Sequence, residues 1–273
     1  MKKLWLAVVA VFTLSACGGA AADSDTIRVG IVGTNTETWD DVAERLYAQH
    51  GIELEIIQFT DFQVPNRALA DGEIHMNAFQ HQFFLDNFNN EHGTDIVSIG
   101  NTFNAPLGIY SHQLTNPQDI ADGAQVAIPN DVTNGGRALL LLQAAGLIAV
   151  NPEAGLTPTL SDIANNPRGL DIVELAADQT ARALQDVSLS VINSGMAIEA
   201  GLDPQVDSIF LEPVDANARP WVNIIAVRGE DATNEIFQTI VDVFQTEETI
   251  AVAAEHSPAS IPAWPTFGRV NEN

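Results

Sequence analysis

The sequence predicts an α/β protein built from two lobes around a cleft. Short β-rich runs alternate with stretches in which apolar residues recur at helical spacing, which indicates parallel strands covered by helices. These alternations fall into two blocks, and the chain is expected to cross between them near residues 105–112 and again near 212–222. Two crossings form a hinge, and the cleft between hinged lobes is a common ligand site.

The first block opens with a β-α-β unit. Ile27–Val32 is a β-rich run that ends at Gly33, and Glu53–Phe59 is predicted as the next strand. The helix between them ends at Gly51, and its predicted apolar face consists of Trp39, Val42, Ala43, Leu46 and Tyr47. The side chains available to cap its start are Thr34, Asn35 and Thr36. We therefore expect a parallel pair of strands with a right-handed crossover.

The same reading predicts the remaining elements. Further strands are predicted over Ile74–Ala78, Ile96–Phe103, Gln125–Ile128, Asp171–Leu175, Leu189–Ile192, Ser208–Leu211 and Val222–Val227. Helices are predicted over Pro65–Ala70, Gln80–Asn89, Gly136–Ala145, Met196–Ala200 and Asn234–Gln245, with another between the strands that end at Leu175 and begin at Leu189. Pro129–Asn134 is predicted as a turn, and the proline-containing tail from Ser257 is expected to lie over the surface.

The first residues have the pattern of an export signal. Lys2 and Lys3 precede an apolar run, Leu4–Leu14, that is much shorter than the ~20 residues needed to span a bilayer. Cys17, the single cysteine, closes a small-residue site that is similar to the lipobox of bacterial lipoproteins. An ordinary signal peptide followed by a stray cysteine is the alternative. We predict a signal peptide over residues 1–16 and a lipidated, flexible tether over residues 17–25.

Composition narrows the possible partners. The formal net charge is -25, and loss of residues 1–16 would leave a chain without lysine. So acidic a surface argues against nucleic acid and against a polybasic grip on anionic lipids. Lipid on Cys17 would then supply the attachment, and stable anchoring needs more than one acyl chain. We expect a globular domain held at the cell membrane, outside the cytoplasm.

Two segments could hold a ligand. In Pro129–Arg137, two glycines, a helix N-terminus and the bidentate cation of Arg137 could together bind a carboxylate. The alternative is a turn, a cap and a surface arginine. Asn77–Phe84 places aromatic rings and His81 at the carboxyl end of a strand, where open sheets bind ligands, although His81 could equally be a capping or packing residue. Asn193 and Asn223 each have a simpler interpretation as a turn or strand-edge residue.

Neither a metal site nor catalysis is predicted. The six histidines are scattered, without ligand spacing such as i, i+4. The chain has no G-x-S-x-G, P-loop or G-x-G-x-x-G motif, and its one cysteine is not available as a nucleophile. We therefore expect no metal, no cofactor and no enzyme activity.

Several ordered motifs resemble one family over nearly all of the chain that follows residue 16. They are Asn77–His81, Gly100–Phe103, Val126–Asp131, Thr133–Asn134, Gly136–Gln143, Gly146–Ile148, Ile172–Leu175, Val191–Asn193 and Val222–Ile225. The chain resembles the methionine-binding lipoproteins of bacterial ABC importers, the NlpA/MetQ family. The resemblance implies a two-lobed type II periplasmic-binding-protein fold, with residues 26–108 and 223–273 in lobe 1 and residues 109–222 in lobe 2.

The resemblance also implies roles for individual residues. Arg137 would grip the ligand carboxylate, and Asn193 and Asn223 would bind its amino and carboxylate groups. His81 and Phe79 would line the pocket for the side chain, where thioether sulfur packs well against aromatic rings.

Departures from the family pattern concentrate in that pocket. Phe62 and Phe84 stand where relatives often have tyrosine, and Ala105 and Met196 replace residues that are commonly aromatic. We count Phe62 and Phe84 among the predicted ligand-binding residues.

The predicted function is the binding of L-methionine, or a close analogue, and its delivery to an ABC permease with its ATPase subunits. Another amino acid or a methionine-containing dipeptide is the alternative ligand. A surface adhesin-type lipoprotein is the alternative from another class, with an enzyme on this fold a distant third.

Overall fold

A computed structural model describes residues 26–214 and 216–268. The strands are β1 (Ile27–Val32), β2 (Leu54–Phe59), β3 (Met76–Asn77), β4 (Ile96–Asn104), β5 (Gly108–Tyr110), β6 (Gln125–Pro129), β7 (Ala149–Val150), β8 (Ile163–Asn165), β9 (Asp171–Leu175), β10 (Leu189–Ile192), β11 (Phe210–Leu211), β12 (Val222–Arg228) and β13 (Ile261–Pro262). The α-helices are α1 (Glu37–His50), α2 (Pro65–Ala70), α3 (Gln82–His92), α4 (Val132–Ala144), α5 (Ala177–Thr180), α6 (Ser194–Glu199), α7 (Glu235–Phe244), α8 (Glu247–His256) and α9 (Trp264–Phe267).

The first lobe is built on a mixed sheet of six strands in the order β13-β4-β12-β3-β1-β2. β1 runs parallel to β2 and β3, as the β-α-β prediction requires. β12 pairs antiparallel with both β3 and β4, and β13 adds an antiparallel edge. The carboxyl ends of β1 and β3 therefore lie side by side at the same edge of this sheet.

Helices α1 and α7 cover one face of that sheet. Val29, Trp39 and Leu46 are buried in one cluster with α7, and the Trp39 and Phe244 rings lie 4.8 Å apart. The predicted apolar face of α1 is wrong at one position, because Tyr47 is 61% exposed. Tyr47 lies at the last turn, where its backbone carbonyl accepts the N–H of Gly51 at the left-handed C-cap.

The second lobe is built on five strands in the order β11-β5-β10-β6-β9. β6 pairs parallel with β9 and β10, and β5 pairs antiparallel with β10. Leu139 and Leu142 of α4 are buried against this sheet, together with Val126 and Ile128 of β6. Fully burying one such aliphatic side chain stabilises the fold by about 1.5–3 kcal/mol.

The chain passes from one sheet to the other twice. β4 of the first sheet ends at Asn104, and β5 of the second begins at Gly108. The return runs from Leu211 to Val222 and includes a 3-10 helix over Ala216–Trp221. The first lobe is thus built from two separate stretches of chain and the second from the single stretch between the crossings, and the predicted two-lobed α/β architecture is confirmed.

The tail differs from the prediction. The segment after Ser257 was expected to lie over the surface, but Ile261–Pro262 pairs with β4, and Ala259 and Ala263 are buried. Trp264 packs its ring 5.4 Å from that of Phe103 and 5.8 Å from that of Phe244. The preceding helix, α8, was not predicted, because its many alanines and glutamates give only a weakly amphipathic pattern.

The predicted signal peptide, Cys17 and the tether lie outside the described residues. Within residues 26–214 and 216–268, none of the helices combines the length and apolar character that crossing a bilayer requires.

Candidate functional site

A cavity of about 200 Å³ lies between the two lobes. Ligand sites for drug-sized molecules usually enclose about 300–1,000 Å³, so this volume fits a smaller molecule, of the size of an amino acid. All seven predicted ligand-binding residues line it, namely Phe62, Phe79, His81, Phe84, Arg137, Asn193 and Asn223. Ala105 and Met196 line it as well.

The strand ends bring these residues together. β3 leads directly into Phe79 and His81, and β10 ends one residue before Asn193. β6 ends close to α4, which carries Arg137. The cavity thus lies at the carboxyl ends of strands from both sheets, where ligands bind in open α/β folds.

Three phenylalanine rings form the aromatic wall of the cavity. The centroids of Phe62 and Phe79 lie 5.9 Å apart, those of Phe79 and Phe84 5.9 Å apart, and those of Phe62 and Phe84 6.3 Å apart. Met196 of the other lobe belongs to a buried cluster against which Phe62 packs. The wall therefore presents both ring faces and ring edges to a flexible apolar side chain of a ligand.

His81 is buried and neutral. Its Nδ1 accepts the backbone N–H of Phe84 at 3.0 Å, so the proton of the neutral ring is on Nε2. Burial, followed by the nearby charge of Arg137, lowers the pKa of His81 to about 3, and the side chain of Asn134 partly opposes this shift. Nε2 is buried without a hydrogen-bond partner, so the cleft contains a donor that a ligand acceptor could satisfy.

A buried network of amides holds the His81 segment in place. Gln80, between Phe79 and His81 in sequence, exchanges two 2.7 Å hydrogen bonds with Asn66. Asn77 joins the network, donating to Asn66 Oδ1 at 2.9 Å and accepting from Gln80 at 3.0 Å. The network was missed in the sequence, since isolated amides do not reveal their partners. It fixes the start of α2, which follows Phe62, against the loop that carries His81.

Arg137 lines the cavity but is not free. Its Nε donates to both carboxylate oxygens of Glu212, at 2.9 and 3.1 Å, and its Nη2 also pairs with Glu212. Nη2 donates further to the carbonyl of Ala105 at 3.1 Å, and the guanidinium lies 4.9 Å from the centre of the Trp221 ring. Glu212 therefore occupies the Nε and Nη2 side of the guanidinium, and the role of Arg137 in holding a ligand carboxylate stays a prediction.

The segment before Arg137 also differs from the prediction. Helix α4 begins at Val132, so the last three residues of the predicted turn belong to its first turn. Asp131 caps this end, accepting the N–H of Asn134 at 2.9 Å. A Cβ at Gly135 would meet the carbonyl of Pro129 at 2.8 Å, and one at Gly136 would meet the backbone of the 156–157 segment at 2.8 Å. These glycines allow close packing within the lobe, and neither of them lines the cavity.

Asn193 and Asn223 face the cavity from opposite lobes. Asn193 donates through Nδ2 to Oδ1 of Asn134 at 2.9 Å, and its own Oδ1 is buried without a partner. Asn223 forms an isolated antiparallel bridge with His81, where the pairing of β12 with β4 shifts register. The cleft therefore contains an unsatisfied acceptor as well as the unsatisfied donor of His81.

The rest of the cleft wall was not predicted. Thr34 and Asn35 line it from the loop after β1, and Ser257 and Ser260 line it from the tail. Glu199 lies opposite them, with Oε2 3.0 Å from where a Cβ of Gly33 would be. Because the tail was expected to lie over the surface, the two serines were not included in the predicted site. Among the described residues, no group of three or more His, Cys, Asp or Glu side chains could hold a metal ion.

Comparison with known proteins identifies the family. The model of the NlpA lipoprotein family matches residues 27–264. The chain is 38% identical to the "Probable D-methionine-binding lipoprotein MetQ" of Vibrio cholerae over 250 residues, which are 91% of this chain and 92% of the relative.

Two solved structures show the same fold. Protein PG110 of Staphylococcus aureus is 43% identical, with a TM-score of 0.84 over 87% of this chain and 94% of its own. A nutrient-binding protein of Burkholderia cenocepacia, solved bound to methionine, is 37% identical, with a TM-score of 0.83 over 87% of this chain and 100% of its own. The fold is thus the two-lobed type II periplasmic-binding-protein fold, and the chain belongs to the NlpA lipoprotein family.

Proposed function

We propose that this protein is the substrate-binding lipoprotein of an ABC importer, and that methionine or a close analogue binds between its lobes. The observation that carries the proposal is the set of side chains that line the cavity. Arg137, the unpaired Nε2 of His81 and the unpaired Oδ1 of Asn193 meet an aromatic wall in about 200 Å³. An α-amino acid with an apolar, polarizable side chain complements each of these features.

The two unpaired polar atoms, Nε2 of His81 and Oδ1 of Asn193, match the two charged groups of an amino acid. An ammonium group can donate to Oδ1 of Asn193, and a carboxylate can accept from Nε2 of His81 and from Arg137. Each buried group left unsatisfied costs about 1–3 kcal/mol, so a ligand that satisfies both binds with that advantage. Asn223 lines the same cavity and completes the proposed set of amino-acid contacts.

The aromatic wall supports a thioether side chain. Phe62, Phe79 and Phe84 present ring faces and edges within 6.3 Å of one another, and sulfur gains about 0.3–1.5 kcal/mol from such a contact. The Vibrio cholerae relative is named for D-methionine. The test of ligand identity therefore has to include both enantiomers.

A longer ligand is the second candidate, and one observation favours it. A further interlobe cavity of about 350 Å³ adjoins the first, and Phe62 and Phe84 line both. A methionine-containing dipeptide could extend past these rings if they turned aside. Isothermal titration calorimetry ranks the candidate ligands by affinity, with protein that has been unfolded and refolded to remove any bound ligand. The ligands to compare are L-methionine, D-methionine, norleucine and methionyl dipeptides. Failure of all of them to bind would favour an adhesin-type lipoprotein.

Anchoring and delivery complete the proposal. Cys17 would become the lipidated first residue and hold the domain at the cell membrane outside the cytoplasm, on the tether of residues 17–25. The permease and its ATPase subunits would receive the ligand when the lobes open, without chemistry on the ligand. Fractionation of cells that express the full chain tests the anchor, since Cys17→Ser should release the protein from the membrane fraction.

A further inference from the structure

Glu212 lies where the two crossings between the lobes meet. Its backbone N–H donates to the carbonyl of Leu107 at 2.8 Å, and its side chain accepts the N–H of the same Leu107 at 3.0 Å. Leu107 belongs to the outgoing crossing and Glu212 to the returning one. This double contact ties the two connecting segments to each other at one point.

The same carboxylate holds Arg137, which lines the cleft. Nε of Arg137 donates to both oxygens of Glu212, and Nη2 donates to Glu212 and to the carbonyl of Ala105. Nη1 donates to no acceptor among the described residues. The Trp221 ring lies against the guanidinium, 4.9 Å from its carbon, and stands edge-to-face with His81 at 5.0 Å.

We propose that Glu212 is a positioning residue for ligand binding: it fixes the guanidinium of Arg137 so that Nη1 is presented to the ligand carboxylate. The inference rests on the proposed function. A guanidinium side chain is flexible, and an arginine that is already held in the binding geometry loses less freedom when the ligand arrives. Because Glu212 also joins the two crossings, the position of the Arg137 guanidinium is tied to the position of the hinge.

The proposal can be separated from simple charge competition. If Glu212 only competed with the ligand for Arg137, its neutralisation would strengthen binding of a carboxylate. If it positions Arg137, neutralisation weakens that binding, and only for ligands that have a carboxylate. The side chain of Glu212 is 16% exposed and that of Arg137 4%, so solvent screens the pair little. The two explanations therefore predict clearly measurable changes in affinity of opposite sign.

The experiment measures the affinity of wild type and Glu212→Gln for L-methionine and for L-methioninol, in which a hydroxymethyl group replaces the carboxylate. We expect Glu212→Gln to weaken methionine binding by about tenfold or more and to change methioninol binding by less than about twofold. Asp41→Asn is the matched control, since it removes the carboxylate of the Arg45 ion pair on α1, away from the cleft. It should leave both affinities unchanged.

Equal loss for both ligands, or tighter methionine binding by Glu212→Gln, would overturn the proposal. If Glu212→Gln does not fold, Glu212→Asp keeps the charge but shortens the side chain by one methylene, and the same selective loss is expected of it. Wild type that binds neither methionine nor methioninol would contradict the proposed function itself, which is a different result from equal loss in the variant.

Discussion

Asn193 donates its amide hydrogen to Oδ1 of Asn134 over 2.9 Å, and this bond fixes which way the amide of Asn193 points. Asn134 is held in turn by Asp131, which accepts both its backbone and its side-chain N–H groups. Oδ1 of Asn193 is therefore presented to the cavity as an acceptor, buried and unpaired. Three residues of one lobe prepare a contact that a ligand from outside must complete.

Removal of this acceptor should weaken binding without unfolding the protein. Asn193→Ala is expected to cost about 1–3 kcal/mol of binding free energy, or roughly fivefold to 150-fold in Kd, because the ligand ammonium loses its acceptor. Calorimetric titration with methionine measures the change. Asn151→Ala, which removes an exposed cap far from the cleft, should bind as wild type does. Equal affinity of Asn193→Ala and wild type would remove Asn193 from the site.

The neutral state of His81 predicts a pH dependence of stability. Burial, with the charge of Arg137, lowers the pKa from 6.5 to about 3 in the folded protein. Between these pH values the unfolded chain binds a proton that the folded protein does not, so stability is lost as the pH falls below 6.5. This term amounts to about 2 kcal/mol between pH 7 and pH 5.

Denaturant unfolding at pH 7 and pH 5 checks that dependence. His81→Gln lacks the titrating group and should lose about 2 kcal/mol less stability over this interval than wild type. The exposed His112 provides the comparison, since His112→Gln should follow wild type. If wild type and His81→Gln lose the same free energy of unfolding, His81 does not titrate as the structure requires.

Phe62 lines both interlobe cavities, so its removal should change the ligand preference. Phe62→Ala would join about 200 Å³ to about 350 Å³ of open space and take away one ring of the aromatic wall. We expect methionine to bind about tenfold more weakly and methionyl dipeptides to lose less, because a longer ligand can fill the joined space. Calorimetric titration of wild type and Phe62→Ala with methionine and with methionyl dipeptides measures the change in each affinity. An unchanged ratio of the two affinities would show that Phe62 does not set the preference between the two ligand types.

The buried amides should contribute to stability as a unit. Asn66→Ala leaves Gln80 and Asn77 without their shared partner in a fully buried position. We expect a loss of about 2–3 kcal/mol in the free energy of unfolding, measured by urea denaturation. Asn66→Ala with Gln80→Ala should cost less than the sum of the single losses, since the first change already breaks the network. Strict additivity would contradict a connected network.

Periodicity in the sequence was enough to predict most of the framework. Pro65–Ala70, Asp171–Leu175 and Leu189–Ile192 have the predicted bounds, because apolar runs and proline mark their ends. The two-residue strand β13 and the weakly amphipathic α8 carried no such signal. Their positions depend on partners that are distant in sequence, since β13 pairs with β4 and α8 packs against α1.

The site was predictable where motifs mark it and hidden where partners meet across the fold. Ordered motifs identified Phe79, His81, Arg137, Asn193 and Asn223, and the structure brings all of them to one cavity. Glu212 lies in a segment rich in proline, aspartate and alanine, and nothing in that composition pairs it with a residue 75 positions away. Sequence motifs predicted which residues face the cleft, whereas the direction in which Arg137 is held follows from tertiary contacts alone.

Native mass spectrometry of the soluble protein beginning at Gly18, before and after denaturation, tests the central proposal most directly. Binding proteins that enclose a ligand between two lobes can retain it through purification. We expect a releasable adduct with the mass of methionine, which refolded protein regains from either L- or D-methionine in solution. A protein that carries no adduct, and shows no thermal shift with methionine or its dipeptides, would contradict the assignment of this cleft to methionine transport.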